Sequence, residues 1–164
     1  MVTGRRAAAH GPVDGARLEV PGELLGAPGY VARRLYQAYL ANWVRAVDST
    51  VTGPQFAVLV AVDKYPGEDQ GSLAHVAALD RSTMADVVRR LEERGLVDRR
   101  TALNDARRKL LHLTEEGERT LAEVNRRARD LDRKLLRGRT AAGIQQWLEE
   151  LNGVAEHWES LIED

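Results

Sequence analysis

From residue 72 to residue 113 the chain passes through two short segments of helical period, a turn of three to four residues between them, and then two strand-like segments around a charged tip. That order restricts the arrangement sharply. Leu73, Val76 and Ala77 share a face of the first segment, which Ser72 is placed to cap. After a turn over 78–81, Met84, Val87, Val88 and Leu91 line one face of a longer helix, and Gly95 is placed to end it. Helices joined this tightly form a helix-turn-helix. Residues 96–101 and 109–113 then read as strands, and 102–108 as the tip of a β-hairpin, or wing.

The flanks read as helix. Residues 1–29 hold six of the fourteen Gly and three of the five Pro, which predicts a flexible arm, ordered at most near 18–25. Pro28 suits a first helical turn, and a helical pattern runs over 29–47. Thr52 with Gln55 forms a capping box for a helix over 56–64, apolar almost throughout and so expected to be buried. Thr114 caps a long amphipathic helix whose stripe is Leu121, Val124, Ala128, Leu131 and Leu135. Gly138 and Thr140 break it, and a last helix carries Ile144, Trp147, Leu148, Leu151, Val154, Trp158, Leu161 and Ile162. The fold class is mainly α with a small β-hairpin wing. The expected organisation is a flexible arm over 1–27, a winged helix-turn-helix over 51–114, and a helical dimerisation region over 28–50 and 115–164. The long helices carry more apolar surface than one small domain covers, which favours a two-fold dimer over an intrachain hairpin.

Composition excludes several classes of function. The chain has 164 residues and no cysteine, so disulfides, thiolate metal sites and a cysteine nucleophile are absent. No apolar run approaches membrane-spanning length and the first fifteen residues lack a signal-peptide core, so the expected location is cytoplasmic, with no membrane partner. His10, His75, His112 and His157 stand singly, and no phosphate-cradling glycine motif occurs. Neither a metal, a cofactor nor a catalytic site is expected. The net charge of −1 is unevenly spread. Over 81–109 nine basic residues face five acidic ones, whereas beyond Arg139 there are six carboxylates and no Lys or Arg. A basic middle can meet a polyanion while the acidic end stays off it.

Two constellations favour nucleic acid. The second helix of the pair opens with Arg81, Ser82 and Thr83 and continues with Asp86, Arg89 and Arg90 away from its apolar stripe. Short hydroxyls at the start and longer side chains behind are what a groove-reading helix needs, with Asp86 able to accept from a cytosine amine or to orient an arginine. A solvated helix face would look similar, and such helix pairs also occur in proteins that bind no DNA. The wing tips the balance: Arg107, Arg108 and Lys109 lie in or beside its tip, Asp105 is placed to shape it, and a cationic finger suits a narrow minor groove.

The segments "LDRSTMADVVRRLEERGLVDR", "NDARR" and "LHLTEEG" resemble the MarR family of winged-helix transcriptional regulators, over about residues 28–164. The resemblance implies a homodimer on a pseudo-palindromic DNA operator, usually a repressor released by a small ligand. It places the family's wing Asp and Arg at Asp105 and Arg107. The chain departs from many members in having Arg89 where they carry Asp, and Asp86 where they are basic.

"PGYVARRLYQAYLANW" is similar to a subgroup that responds to aromatic acids such as protocatechuate or hydroxycinnamates and their thioesters. At 100° per residue, Arg33, Tyr36, Tyr39 and Trp43 fall within about a third of the helix circumference. A guanidinium beside aromatic rings suits an aromatic carboxylate, and the same spacing equally serves a dimer core. The resemblance assigns Arg33 to the ligand carboxylate; some members carry His where this chain has Tyr39. The expected function is a ligand-released dimeric repressor. A protein-interaction module or a constitutive DNA binder without inducer is the alternative.

Overall fold

The computed structural model describes residues 18–48, 50–101 and 108–163. Most of the expected arm, and Asp105 and Arg107 in the wing tip, lie outside the described residues. The chain divides into two units, 1–38 and 39–164, with the division inside a helix.

In the first unit, Pro21 starts a single turn, α1 (Gly22–Leu25), by accepting from the N–H groups of Leu24 and Leu25. Helix α2 (Pro28–Ala46) follows with proline at its first position, where the missing N–H has no intrahelical partner to lose. Val31, Leu35 and Tyr36 are exposed along it.

The second unit opens with the end of α2 and continues through α3 (Gly53–Lys64), α4 (Gln70–Val76), α5 (Arg81–Glu93), β1 (Val97–Thr101), β2 (Lys109–Leu113), α6 (Glu115–Leu135) and α7 (Ala141–Glu163). The capping box forms as expected: Gln55 N–H donates to Thr52 Oγ1, and Thr52 N–H donates to Gln55 Oε1. Gly53, Pro54 and Gln55 form the first turn itself behind the Thr52 cap, so α3 starts at Gly53 rather than at Phe56. It is the central helix: Val58, Leu59 and Val62 are fully buried, although Val60 is 40% exposed. Met84, Val88 and Leu91 of α5 and Leu121, Val124 and Leu131 of α6 join the same core. Trp43 closes one side, 2% exposed, with its indole N–H donated to the Val51 carbonyl at 2.7 Å.

Four local details differ from the sequence reading. Ser72 lies within α4, whose cap is Asp69, because that carboxylate accepts from the N–H groups of both Gly71 and Ser72. Val76 is exposed, because Leu73, Ala74 and Ala77 form the buried face of α4 and Val76 lies beside it. Leu135, the last residue of α6, is 45% exposed. The hairpin also has a third main-chain neighbour: Gly67 N–H donates to the Leu111 carbonyl, Leu111 N–H to the Glu68 carbonyl, and Asp69 bridges Leu110.

Two backbone positions set the geometry around the wing. Gly95, at φ +68, lies just past the end of α5 and reverses the chain into β1. Gly117 brings α6 against the same turn, so that an added Cβ would sit 2.0 Å from the Leu96 carbonyl oxygen. Thr114 binds both sides of that junction, donating from Oγ1 to the Gly95 carbonyl at 2.6 Å and accepting from Gly117 N–H at 3.0 Å. The turn between α4 and α5 contains Ala78 at φ +52, a left-handed conformation that L-residues rarely adopt.

Gly117→Ala is expected to lower unfolding stability by about 2–3 kcal/mol, because backbone rather than a flexible side chain must yield. Trp43→Phe is expected to lose about 1–2 kcal/mol through the orphaned Val51 carbonyl. Urea titrations followed by far-UV circular dichroism check both.

Candidate nucleic-acid interface

Asp80 organises the start of α5. Its Oδ1 accepts from Ser82 N–H and Thr83 N–H, both at 2.9 Å, which stabilises the free end of the helix. Both hydroxyls donate to the same carboxylate at 2.5 Å, Ser82 to Oδ1 and Thr83 to Oδ2. These bonds, the Ser82 hydroxyl first and the Thr83 hydroxyl next, hold the Asp80 carboxyl far below the usual carboxylate range. It is therefore an acceptor only, and the two hydroxyls keep their lone pairs for other partners.

Behind that cap the exposed face of α5 is sorted by charge. Arg81 and Arg90 are exposed and make no ion pair among the described residues. Arg89 lies along the helix instead, 2.7 Å from Glu93 and 3.7 Å from Asp86. Arg94, at the end of the helix, turns away and donates to the Thr50 carbonyl at 2.8 Å. Ser82 is exposed and Thr83 half-buried, so neither is walled off.

The wing follows directly. β1 and β2 pair antiparallel, with Arg100 opposite Leu110 and Thr101 opposite Lys109. Arg108 is not an isolated tip residue: its guanidinium is 3.0 Å from Asp69 Oδ2. Arg99 reaches Glu92 of α5 at 3.3 Å, Arg100 meets Asp98 at 3.5 Å, and Lys109 Nζ donates to Thr101 Oγ1. The role of Asp69 was missed in the sequence, although an aspartate three residues before Ser72 is itself a good cap and carried the signal.

The residues considered for ligand binding fall in both units. In the first, the Arg33 guanidinium lies 5.7 Å from the centre of the Tyr30 ring, and Arg33 and Tyr36 are exposed. In the second, Tyr39 is partly buried with its ring 5.8 Å from Trp43, which in turn packs 5.2 Å from Phe56. Trp43 is thus a core side chain with its polar atom satisfied, and its surface is not open to a ligand in this structure. Among the described residues no group of His, Asp and Glu could hold a metal ion, and no helix is long and apolar enough to cross a membrane.

The comparisons with known proteins agree with this geometry. The MarR family model matches residues 51–109. HosA of Escherichia coli, a transcriptional regulator, is 36% identical over 114 residues, covering 70% of this chain and 83% of HosA. PcaV of Streptomyces coelicolor, a transcriptional regulator solved with its natural ligand, is 37% identical with a TM-score of 0.80, over 84% of this chain and 98% of PcaV. The transcriptional repressor CouR, bound to a 23-mer DNA duplex, is 27% identical with a TM-score of 0.76, over 85% of this chain and 99% of CouR. The p-coumaroyl-CoA complex of CouR superimposes at a TM-score of 0.73, again at 27% identity, over 85% and 98% of the two chains.

The depressed Asp80 carboxyl gives the cap a pH signature. A carboxyl lowered on folding contributes stability that is full above its unfolded value, about 3.9, and is lost as pH falls through the lower folded value. The difference in thermal midpoint between the natural chain and Asp80→Ala should be complete at pH 6 and shrink only below about pH 4. Scanning calorimetry at successive pH values checks it.

Proposed function

The chain belongs to the MarR family of transcriptional regulators, and from that premise we propose that it acts as a homodimeric repressor released from a pseudo-palindromic DNA operator by a small aromatic acid. The observation that carries this reading is the exposed face of α5, where Arg81 and Arg90 make no ion pair among the described residues and lie beside a cationic wing. Such a face meets phosphate and base edges, with Ser82, Thr83, Asp86 and Arg89 as further contacts in the major groove. Asp105 and Arg107, outside the described residues, supply the minor-groove finger. The CouR–DNA complex supports the choice of double-stranded DNA.

Dimerisation is supported by α7. Leu148, Leu151, Val154, Trp158, Leu161 and Ile162 are each about two-fifths or more exposed in one chain, and a second copy of the chain would cover them. A two-fold pair places its two reading helices in successive major grooves, about 34 Å apart.

For the ligand, Arg33 supplies the carboxylate partner and Tyr36 a ring in the first unit, while Tyr39, packed on Trp43 in the second, is a further aromatic candidate. The p-coumaroyl-CoA complex of CouR favours an aromatic acyl group. Release requires that the ligand bind the DNA-incompetent dimer more tightly than the competent one.

The test begins with a duplex selected by the protein from a random library, then follows its fluorescence anisotropy with protocatechuate and p-coumarate. Arg107→Ala should weaken the complex about tenfold or more. Arg33→Ala should bind DNA as the natural chain does and fail to release it. Release unchanged in Arg33→Ala removes the ligand assignment; binding indifferent to every acid makes the protein a constitutive binder, and no selected duplex makes it an interaction module.

A further inference from the structure

Asp69 does two things at once. Its Oδ1 caps α4 through Gly71 N–H and Ser72 N–H, at 3.0 and 3.1 Å, while its Oδ2 accepts from the Ser72 hydroxyl and from the Arg108 guanidinium. The same stretch is stitched to β2 by main chain, through the Gly67, Glu68 and Asp69 contacts with Leu110 and Leu111. Arg108 is the first described residue after 102–107 and precedes Lys109, which pairs with Thr101, so this ion pair lies at the tip end of β2.

We infer that Arg108 and Asp69 form a positioning pair, which fixes the direction of the wing by tying the tip end of β2 to the cap of the first helix of the helix-turn-helix, and that Arg108 is not a phosphate ligand. The inference rests on the DNA-binding reading above for its functional consequence. Asp69 is well prepared for the role: the Ser72 N–H, and after it Arg108, hold its carboxyl below the usual range, so it is charged at neutral pH. Arg99 repeats the pattern on the neighbouring strand, where Glu92 of α5 takes its guanidinium. Two cations of the wing that would otherwise be counted as DNA contacts are thus engaged by acids from the two helices of the reader.

A positioning role and a phosphate contact predict opposite results for Asp69. Removing an acid beside a polyanion site strengthens binding if charge alone matters; removing a strut weakens it. Asp69→Asn keeps a capping side chain and loses the charge. Binding of the selected duplex is measured for the natural chain, Asp69→Asn, Arg108→Ala and the double variant at several salt concentrations. Each single variant is expected to weaken binding roughly three- to fivefold, as loss of an exposed ion pair allows. The double variant should lose no more than either alone, and the slope of log affinity on log salt should stay unchanged. A slope reduced by about 0.9 in Arg108→Ala, with Asp69→Asn unchanged or tighter, makes Arg108 a phosphate ligand and overturns the inference. Unchanged affinity in both single variants overturns it as well.

Amide hydrogen exchange over 99–112 in the free proteins gives a readout without DNA. Both single variants should accelerate exchange there to a similar degree. Exchange identical to that of the natural chain refutes the strut even if no duplex is selected, whereas accelerated exchange with no selected duplex leaves the strut standing and removes the DNA reading instead.

Discussion

The tight junction of Thr114, Gly117 and the 95–96 turn is the constraint on which the rest of the molecule depends. A backbone oxygen occupies the space that any side chain at position 117 would need, and one threonine hydroxyl holds the end of α5 on one side and the start of α6 on the other. Through this contact the helix that faces outward for reading and the long helix that carries the core stripe are fixed within one hydrogen-bonded knot. Neither the wing nor the reading face could keep its direction if α6 were free to shift by the width of a methyl group.

Around that knot the polar chemistry is economical, because the same groups serve both folding and the surface. Asp80 and Asp69 each close a helix start and also hold hydroxyls or a guanidinium that belongs to the outward face. Arg89 lies between two acids of its own helix, and Arg94 braces the loop before α3. Among the described residues, what remains without an ion pair on α5 is two cations, Arg81 and Arg90. A count of basic residues along the chain therefore overstates the charge available to a polyanion; the geometry narrows it to positions that form no ion pair among the described residues.

Most of the fold was legible because it is written in local signals. The Thr52–Gln55 box, the Thr114 cap, the Gly95 stop and the three-and-four spacing of Leu121, Val124, Ala128 and Leu131 are each decided within one or two turns. What was not legible depends on partners far apart in the chain. Asp69 meeting Arg108, Arg99 meeting Glu92, and the strand-like contact of 67–69 with β2 have no sequence period to announce them. Trp43 shows the same limit from the other side. Its helical spacing fits a ligand wall as well as a core position, and only the Val51 carbonyl beneath its indole distinguishes the two.

The turn at Ala78 has a consequence for how a signal can travel. A residue with a side chain, held at φ +52, has few neighbouring conformations to move into, whereas a glycine there would open many. That restriction limits how α4 and α5 can hinge about the turn between them. An influence from elsewhere in the protein therefore reaches the two helices more readily as a shift of the pair than as a bend within their turn.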